Sequence, residues 1–313
     1  MKNKKCVCVT GGAGFIGSNL VDKLITKGYK VIIVDNLSSG FEKNINSKAK
    51  FYGVDINHEK VLKYIFEIEK PEYVFHLAAQ INLRESIKQP VNDAEINILG
   101  TLKLLNCCVE HNVKKIIFSS TGGAIYGDNC SIPTSENEIE NPKSPYGIAK
   151  LTIEKYLKFY RDVHNLDFVS LRYSNVYGPR QNSKGEAGVI AIFIDNILSK
   201  NIPAINGLGE QTRDYIFVED IVDANLLAID LEGIYNVSVG EETRVNEIYN
   251  KIKKIMNINI NAIHNPEIKG EQMRSCLNSQ NLKDTGWNIN YSLDEGLKIT
   301  IDYFKCQKNK NGK

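Results

Sequence analysis

The chain has 313 residues, of which 42% are hydrophobic, and its formal net charge at pH 7 is only +2. This length is enough for one large core and a smaller lobe, and so small a charge argues against a nucleic-acid-binding protein. No apolar stretch reaches membrane-spanning length, and residues 1–30 lack the pattern of a signal peptide. The seven cysteines and five histidines show no metal-site spacing, so we expect reduced thiols, no metal and a cytoplasmic protein without membrane association.

The first motif is a short apolar strand followed by three spaced glycines. The strand is predicted over 6–9, and Gly11, Gly14 and Gly17 follow it. Glycines at this spacing allow a tight turn, a close approach of the backbone to phosphate, and close packing of a helix on the sheet. The helix predicted over 15–27 would direct its positive N-terminal end at a pyrophosphate. The motif therefore predicts a dinucleotide site.

An acidic residue completes this motif. A second apolar strand, predicted over 31–34, ends at Asp35, which lies 18 positions after Gly17. A carboxylate at that spacing accepts hydrogen bonds from the adenosine ribose and would repel a 2′-phosphate, so the sequence favours NAD over NADP. The alternative is a glycine-rich turn with a helix-capping aspartate. The order strand, loop, helix, strand and acid argues against that alternative.

Strands and helices continue to alternate through the first half of the chain. Further strands are predicted over 50–55, 73–77, 115–120 and 167–172, and helices over 58–69, 93–111 and 145–164. This alternation predicts an α/β fold of Rossmann type, in which a doubly wound parallel sheet carries helices on both faces. Ligands bind such sheets beyond the carboxyl ends of the strands. The positions expected there are Gly11, Asp35, Asp55, Ala78, Ser119 and Tyr173.

The pattern changes after residue 178, which predicts a smaller C-terminal α/β lobe that binds substrate. We assign residues 1–178 to an NAD-binding Rossmann domain, to which residues 211–238 return. Residues 179–210 and 239–306 form the smaller lobe in this interpretation, and residues 307–313 form a disordered tail. The lobe is expected to close over the cofactor.

The second motif is a tyrosine and a lysine four residues apart. Residues 144–145 predict a helix start, which places Tyr146 and Lys150 on one face of the helix. The lysine ammonium would lower the pKa of the tyrosine, which could then take a proton from an alcohol while hydride leaves the same carbon. The spacing recurs at Tyr249, where an ordinary amphipathic helix is expected. Only Tyr146 has a hydroxyl-rich partner segment, 118–127, at the end of a predicted central strand.

Together these motifs resemble those of the extended short-chain dehydrogenase/reductases, and within that family the UDP-glucose 4-epimerase group. The resemblance covers nearly the whole chain and rests on TGGAGFIG at 10–17, HLAAQ at 76–80, SSTGGAIYG at 119–127, SPYGIAK at 144–150, LRYSNVYGPRQ at 171–181 and QTRDYIFVEDIVDAN at 211–225. It implies bound NAD, a UDP-sugar substrate and a homodimer. The helices that would pair in that dimer are those predicted over 93–111 and 145–164.

The resemblance also implies residue roles. Tyr146 would be the catalytic base and acid and Lys150 its partner, with Thr121, or alternatively Ser120, as the hydroxyl beside the reacting oxygen. The cofactor residues would be Gly11, Gly14, Phe15, Ile16, Gly17, Asp35, Asn36, Ser38, Gly40, Asp55, Ile56, Leu77, Ala78, Ala79, Asn97, Ser119 and Tyr173, together with Tyr146 and Lys150. The substrate residues would be Asn175, Gly188, Val189, Ala204, Asn206, Arg213, Arg274 and Ser275.

One position departs from the family pattern. Relatives carry an arginine two residues before the Gly-Glu of the 269–271 region, and this chain has Ile268 there. Arg213 matches the arginine that clamps the diphosphate, a role suited to a bidentate guanidinium, and Arg274 is a hypothesis for the second clamp. The small side chain of Ser275 would admit N-acetylated as well as plain UDP-hexoses.

The implied reaction is a 4-epimerisation through a transient 4-keto sugar, without net redox change. A nucleotide-sugar 4,6-dehydratase or decarboxylase of the same fold is the first alternative. Dehydration needs an acid directly after the hydroxyl residue, where this chain has Gly122 and Gly123, so epimerisation is favoured. A non-catalytic NAD-sensing protein is the remote alternative. Such a protein could lose the tyrosine–lysine pair, whereas this chain retains it.

Overall fold

The structure, a computed structural model, describes residues 4–128, 130–183, 188–268 and 272–311. Its strands are β1 (Cys6–Thr10), β2 (Lys30–Asp35), β3 (Lys50–Gly53), β4 (Tyr73–His76), β5 (Lys115–Thr121), β6 (Asp167–Tyr173), β7 (Asn175–Tyr177), β8 (Ala204–Asn206), β9 (Thr212–Arg213), β10 (Tyr215–Phe217), β11 (Gly233–Val237), β12 (Thr243–Arg244) and β13 (Ile263–Asn265). Its helices are α1 (Phe15–Thr26), α2 (Glu59–Glu69), α3 (Leu83–Lys88), α4 (Pro90–Ala94), α5 (Thr101–Glu110), α6 (Gly122–Ile125), α7 (Pro145–His164), α8 (Val189–Leu198), α9 (Val218–Leu227), α10 (Val245–Met256), α11 (Gln280–Lys283) and α12 (Leu293–Asn311). A π-helical segment, Glu95–Gly100, lies between α4 and α5. Within the described ranges, no helix is long and apolar enough to cross a membrane.

Over the described part of the chain, seven parallel strands form one central sheet in the order β11-β6-β5-β4-β1-β2-β3. The chain builds outward from β1 to β3 and then crosses to β4, on the other side of β1. A crevice opens at such a reversal of strand order, at the carboxyl ends of the two strands. The register aligns Thr10 with His76, so the glycine loop and the loop after β4 start at the same level of the sheet. The Rossmann-type fold predicted from the sequence is confirmed.

Apolar side chains pack against both faces of this sheet. On one face α2, α5 and α7 bury Phe66, Leu104 and Leu157, each at most 1% exposed. On the other face α1 and α9 bury Leu20 and Ile221 completely. Burial of one such side chain stabilises the fold by about 1.5–3 kcal/mol. These two layers fix the strand ends from which the site is built.

A third apolar cluster forms the core of the smaller lobe. It joins β7, α8, β10, α10 and α12 through side chains that include Phe193, Phe217 and Leu297. Phe15 and Ile16, at the start of α1, pack against the same cluster. The helix that follows the glycine loop therefore contacts the core of the smaller lobe directly.

The helix predicted over 93–111 differs from the structure. It is divided by the π-helical segment, in which the Asn97 side chain donates to the carbonyl of Gln80 (2.9 Å). In the same segment Gly100 lies so close to Ile56 that a Cβ there would be 2.9 Å from the isoleucine Cδ1. A π-turn inserts one extra residue and is frequent at functional sites. The prediction of a single regular α-helix is therefore wrong.

The C-terminal segment also differs from its prediction. α12 runs to Asn311, so residues 307–311 are helical where the sequence predicted a disordered tail. The Nζ of Lys308 donates to Ser199 Oγ (2.6 Å) and lies 3.4 Å from Asp195 Oδ1, which ties the last turns to the end of α8. Residues 312–313 of that prediction lie outside the described residues, as does the 269–271 region.

Candidate active site

The carboxyl ends of β1, β2, β4, β5 and β6 open into one cleft of about 550 Å³. Most of the residues predicted for cofactor binding and catalysis line it: Gly11, Gly14, Phe15, Ile16, Gly17, Asp35, Asn36, Ser38, Asp55, Ile56, Leu77, Ala78, Ala79, Ser119, Ser120, Tyr146, Lys150 and Tyr173. Gly40, Asn97 and Thr121 of the predicted set are not part of the lining. The fold thus brings the glycine loop and the tyrosine–lysine pair into one cavity.

The glycine loop closes the cleft beside β1. Gly11 has φ +71°, and a Cβ at this residue would lie 2.7 Å from the amide nitrogen of Ala78. A Cβ on Gly17 would lie 2.2 Å from the carbonyl oxygen of Gly11. Gly14, at the N-cap of α1, provides no side-chain cap, so the first-turn N–H groups are left for an anion. This cradle fits a dinucleotide pyrophosphate.

We expect Gly17→Ala to weaken NAD binding by about tenfold or more, equivalent to at least about 1.4 kcal/mol. The added methyl group would push the Gly11 carbonyl away and open the loop. Calorimetric titration of the purified variant with NAD measures the effect. Gly123→Ala is the matched control, because no atom lies within 4 Å of a Cβ at that residue. Equal NAD affinity in Gly17→Ala and the unmodified chain would show that this loop does not hold the cofactor.

Asp35 is held in one orientation at the end of β2. Its Oδ2 accepts from the backbone N–H of Ala13 (2.9 Å) and its Oδ1 from that of Leu37 (2.8 Å). Each oxygen keeps a lone pair for a further donor, such as a ribose hydroxyl. A carboxylate so fixed would also repel a 2′-phosphate, so the residues present fit NAD better than NADP.

The start of α7 fixes the tyrosine–lysine pair. The Oγ of Ser144 accepts from the N–H of Gly147 (3.1 Å) and caps the helix, which places Tyr146 in its first turn. Lys150 is one turn further along the helix, and its Nζ donates to the carbonyl of Ser119 (2.7 Å). The same Nζ lies 5.8 Å from the centroid of the Tyr146 ring. The pair therefore lies side by side in the cleft wall, as the spacing predicted.

Burial dominates the acid–base properties of this pair. It raises the pKa of Tyr146 well above its usual value, and the negative charge of Asp93 adds to the increase. It lowers the pKa of Lys150 to about 8, against the opposing charges of Asp93 and Glu154. The predicted lowering of the tyrosine pKa is therefore wrong for the protein alone, because burial and the charge of Asp93 both raise it.

The hydroxyl residues at the end of β5 have different partners. Ser119 Oγ shares a hydrogen bond with the phenol of Tyr173 (3.1 Å), and Ser120 Oγ donates to Glu154 Oε1 (2.6 Å). Thr121 is partly buried at the last residue of β5, and its hydroxyl has no hydrogen-bond partner among the described residues. Ser120 lines the cleft with its hydroxyl already engaged, whereas the Thr121 hydroxyl is free to bind another group.

A buried ion pair supports β5 from behind. Arg172 is 1% exposed, and its Nε and Nη2 donate to the two carboxylate oxygens of Glu154 (3.0 and 2.6 Å). Its Nη1 donates to the phenol of Tyr126 (2.7 Å), and its Nη2 also reaches Glu140 Oε1 (2.9 Å). Glu154 is two turns beyond Tyr146 on α7 and also accepts from Ser120. One carboxylate thus joins α7 to the strand that carries the hydroxyls.

A buried histidine at the end of β4 has hydrogen-bond partners at both ring nitrogens. His76 Nδ1 lies 2.7 Å from Thr10 Oγ1, and its Nε2 lies 2.8 Å from Thr101 Oγ1. Thr101 donates its own hydroxyl proton to the carbonyl of Asn97 (2.7 Å), so it accepts from the histidine Nε2–H. Burial lowers the pKa of His76 to about 3, so the ring is uncharged at neutral pH. This chain of hydrogen bonds places Asn97 behind the cleft rather than in its lining.

The predicted substrate residues lie on other elements. Asn175 begins β7, and Gly188 is the N-cap of α8, which begins at Val189. Ala204 and Asn206 are the first and last residues of β8, and Arg213 lies in β9. Arg274 and Ser275 directly precede Cys276. All eight are described, and none lines the cofactor cleft. Arg274 is exposed, and its Nε donates to Glu242 Oε1 (3.0 Å) in a bidentate ion pair. Ser275 is only 8% exposed.

The structure also adds residues that sequence reasoning missed. Arg180, Gln181 and Asn182 line the cleft from the strand-to-helix connection after β7, and Gln80 and Asn82 line it from the loop after β4. Three of these residues belong to the family segments GPRQ and HLAAQ, which could have identified them in the sequence. Asp93, buried behind Gln80, has no motif of its own in the sequence.

The model of the NAD-dependent epimerase/dehydratase family matches residues 7–238 of the chain. A UDP-glucose 4-epimerase of Thermotoga maritima, solved with UDP-glucose, is 48% identical, has a TM-score of 0.95, and is matched over 97% of this chain and 99% of that one. A UDP-glucose 4-epimerase of Thermus thermophilus in complex with NAD is 38% identical, with a TM-score of 0.91 and coverage of 96% and 99%. A UDP-N-acetylglucosamine 4-epimerase of Methanobrevibacter ruminantium in complex with UDP-N-acetylmuramic acid is 38% identical, with a TM-score of 0.92 and coverage of 98% and 100%.

Proposed function

This chain belongs to the NAD-dependent epimerase/dehydratase family, and we propose that it is an NAD-dependent isomerase that inverts carbon 4 of a UDP-hexose. The observation that carries this proposal is the position of Tyr146 and Lys150 in the same cleft as the glycine loop and Asp35. The likeness to a UDP-glucose 4-epimerase over nearly the full length of both chains supports the substrate class.

The residues of the site supply the proton transfers of this reaction. Tyr146 takes the proton of the sugar 4-hydroxyl and later returns it to the 4-keto sugar, while Lys150 provides positive charge beside the phenol. NAD, when bound, would supply the hydride-transfer chemistry at carbon 4. The glycine loop and Asp35 would hold the cofactor, and Thr121 or Ser120 would donate a hydrogen bond to the reacting oxygen. Thr121 is favoured over Ser120 for this role, because its hydroxyl is free.

The structure disfavours the dehydratase and decarboxylase alternative. An acidic side chain would have to occupy one of the two positions after Thr121. A Cβ on Gly122 would lie 2.2 Å from Leu277 Cδ1, so no side chain fits there without displacement. Gly123 has open space around it but no proton to transfer. Epimerisation therefore agrees better with this turn.

We propose that Arg213, together with Arg274 of the smaller lobe, binds the UDP-sugar, with Arg274 exchanging Glu242 for the diphosphate. A bidentate guanidinium suits both partners. N-acetylated UDP-hexoses are included in the proposal, because Ser275 is small and a related structure is a UDP-N-acetylglucosamine 4-epimerase.

All seven cysteines are free, which supports a reducing, cytoplasmic compartment.

Incubation of the purified protein with UDP-glucose, UDP-galactose and their N-acetylated forms, without added cofactor, tests the proposed function. The expected result is a chromatographically resolved mixture of the two 4-epimers from either direction. A 4-keto-6-deoxy product would identify a dehydratase instead. Binding of every sugar without conversion would indicate the NAD-sensing protein. Conversion of plain sugars alone would remove the N-acetylated forms from the proposal.

We also propose a homodimer that pairs through α7 and the segment before α5. α7 exposes Ile148 (50%), Phe159 (49%) and Val163 (57%) along one face. Leu99, in the π-helical segment directly before α5, is 49% exposed. An apolar face of this kind is a common protein–protein contact. Sedimentation equilibrium is expected to give twice the chain mass of 35.2 kDa. Phe159→Glu should shift the species to the monomer, whereas Tyr64→Glu, at an aromatic exposed by 62% on α2, should not. A monomeric unmodified chain would contradict the proposal.

A further inference from the structure

Two buried groups of opposite charge lie beside the cleft without a direct ion pair. Asp93 is 1% exposed and Lys150 is 4% exposed. The Oδ1 of Asp93 accepts from the neutral amides of Gln80 (2.9 Å) and Asn97 (3.0 Å), and Lys150 Nζ donates to a backbone carbonyl. Across the described part of the chain, neither group has an opposite charge within 4.0 Å. A buried charge costs several kcal/mol unless other charges compensate for it.

We propose that Asp93 is a positioning residue for the catalytic pair: from α4, which packs on α7, its charge keeps Lys150 protonated while its two amide partners fix the wall of the cleft. This inference rests on the proposed function only in assigning catalytic roles to Tyr146 and Lys150. The hydrogen bonds to Gln80 and Asn97 are the positioning part, because both residues shape the loop after β4. A neutral side chain of the same shape would remove the charge of Asp93 and keep these hydrogen bonds.

The electrostatic effects agree with this arrangement. Burial lowers the pKa of Lys150, and the negative charge of Asp93 is the larger of the two effects that oppose it. Burial likewise raises the pKa of Asp93, and the positive charge of Lys150 opposes that change. Each group therefore stabilises the charged form of the other through the packed helices.

The other titratable groups near the pair cannot take over this role. Glu154, on α7 itself, opposes the lowering of the Lys150 pKa less than Asp93 does, and it is already paired with Arg172 of β6. His76, on β4, is neutral because burial lowers its pKa to about 3. Tyr173, on β6, stays protonated because burial raises its pKa to about 12. Among the described residues facing Lys150, Asp93 is thus the carboxylate without a cation partner of its own.

Asp93→Asn in the holoenzyme tests the proposal, because the asparagine Oδ1 can accept the same two hydrogen bonds without the charge. The pKa of Lys150 is measured by NMR with ¹³C-labelled lysine, the signal being assigned by its loss in Lys150→Met. We expect the midpoint to fall by about one pH unit, the size of effect that a nearby charge produces. The basic limb of the pH profile of kcat should move down by the same amount.

Glu95→Gln is the matched control, because it removes an exposed carboxylate two residues away. It should leave the Lys150 titration unchanged. Asp93→Ser also lacks the charge and serves as the second variant if Asp93→Asn does not fold. An unchanged titration midpoint in the charge-free variant would overturn the proposal, even if the melting temperature falls. The titration needs no turnover, so a failure to convert UDP-hexoses would contradict the proposed function and leave this measurement intact.

Discussion

Tyr146→Phe is expected to lower kcat for UDP-hexose epimerisation by about 10²–10⁴-fold, the range that removal of a general acid–base group produces. The phenol is the group in the cleft that can both accept and return the 4-hydroxyl proton, and phenylalanine keeps the ring but not the proton. NAD affinity should change little, because the glycine loop and Asp35 are untouched. Steady-state rates and a calorimetric NAD titration measure the two quantities.

Tyr249→Phe is the matched control for this experiment, since Tyr249 belongs to the second Tyr-x-x-x-Lys segment. Its ring is 4% exposed and its phenol donates to the carbonyl of Ile260 (2.8 Å) in the smaller lobe. Loss of that bond should cost about 1 kcal/mol of stability and leave kcat unchanged. Full activity in Tyr146→Phe would remove the tyrosine from the reaction and with it the proposed mechanism.

Arg172→Met is expected to reduce the free energy of unfolding by about 3–5 kcal/mol, because it leaves the buried carboxylate of Glu154 without its partner. Methionine fills much of the volume of the arginine stem, so the lost charge rather than a cavity causes most of the effect. Urea denaturation followed by circular dichroism measures the change. Activity should also fall, since Ser120 and α7 are joined through Glu154.

A double variant separates the charge effect from packing. Glu154→Leu combined with Arg172→Met removes both charges, and we expect it to be more stable than Arg172→Met alone. Arg244→Met is the surface control, because its ion pair with Glu210 is more than half exposed on both sides and such pairs contribute about 1 kcal/mol or less. Equal destabilisation in the double and single variants would show that the ion pair is not the cause.

The residues that could be predicted from the sequence belong to contiguous motifs. Gly11, Asp35 and Tyr146 lie at fixed offsets from predicted strands and helices, so the chemistry of each motif fixes its place in the cleft. The alternation of strands and helices likewise predicted the parallel sheet, because parallel strands require crossover connections, usually helices. The roles of these residues toward NAD and sugar remain predictions that the experiments above test.

What could not be predicted depends on tertiary contacts. In the π-helical segment the Asn97 side chain bonds to the backbone of Gln80, a tertiary contact that no local propensity encodes. Burial of the phenol at 146 reverses the expected direction of its pKa shift, because exposure is a property of the whole fold. Asp93 was missed for the same reason, since a lone carboxylate in a helix is ordinarily exposed.

The contact between Gly122 and Leu277 joins two parts of the enzyme that sequence reasoning treated separately. Leu277 is anchored by the carboxylate of Asp214, which accepts from its N–H (3.3 Å), and by a bridge to Thr134. The turn after Thr121 rests on this leucine, and Ser275 is two residues before it. Engineering of sugar preference near 275 should therefore alter turnover as well as selectivity, because the segment that we propose to border the substrate also supports the turn that follows Thr121.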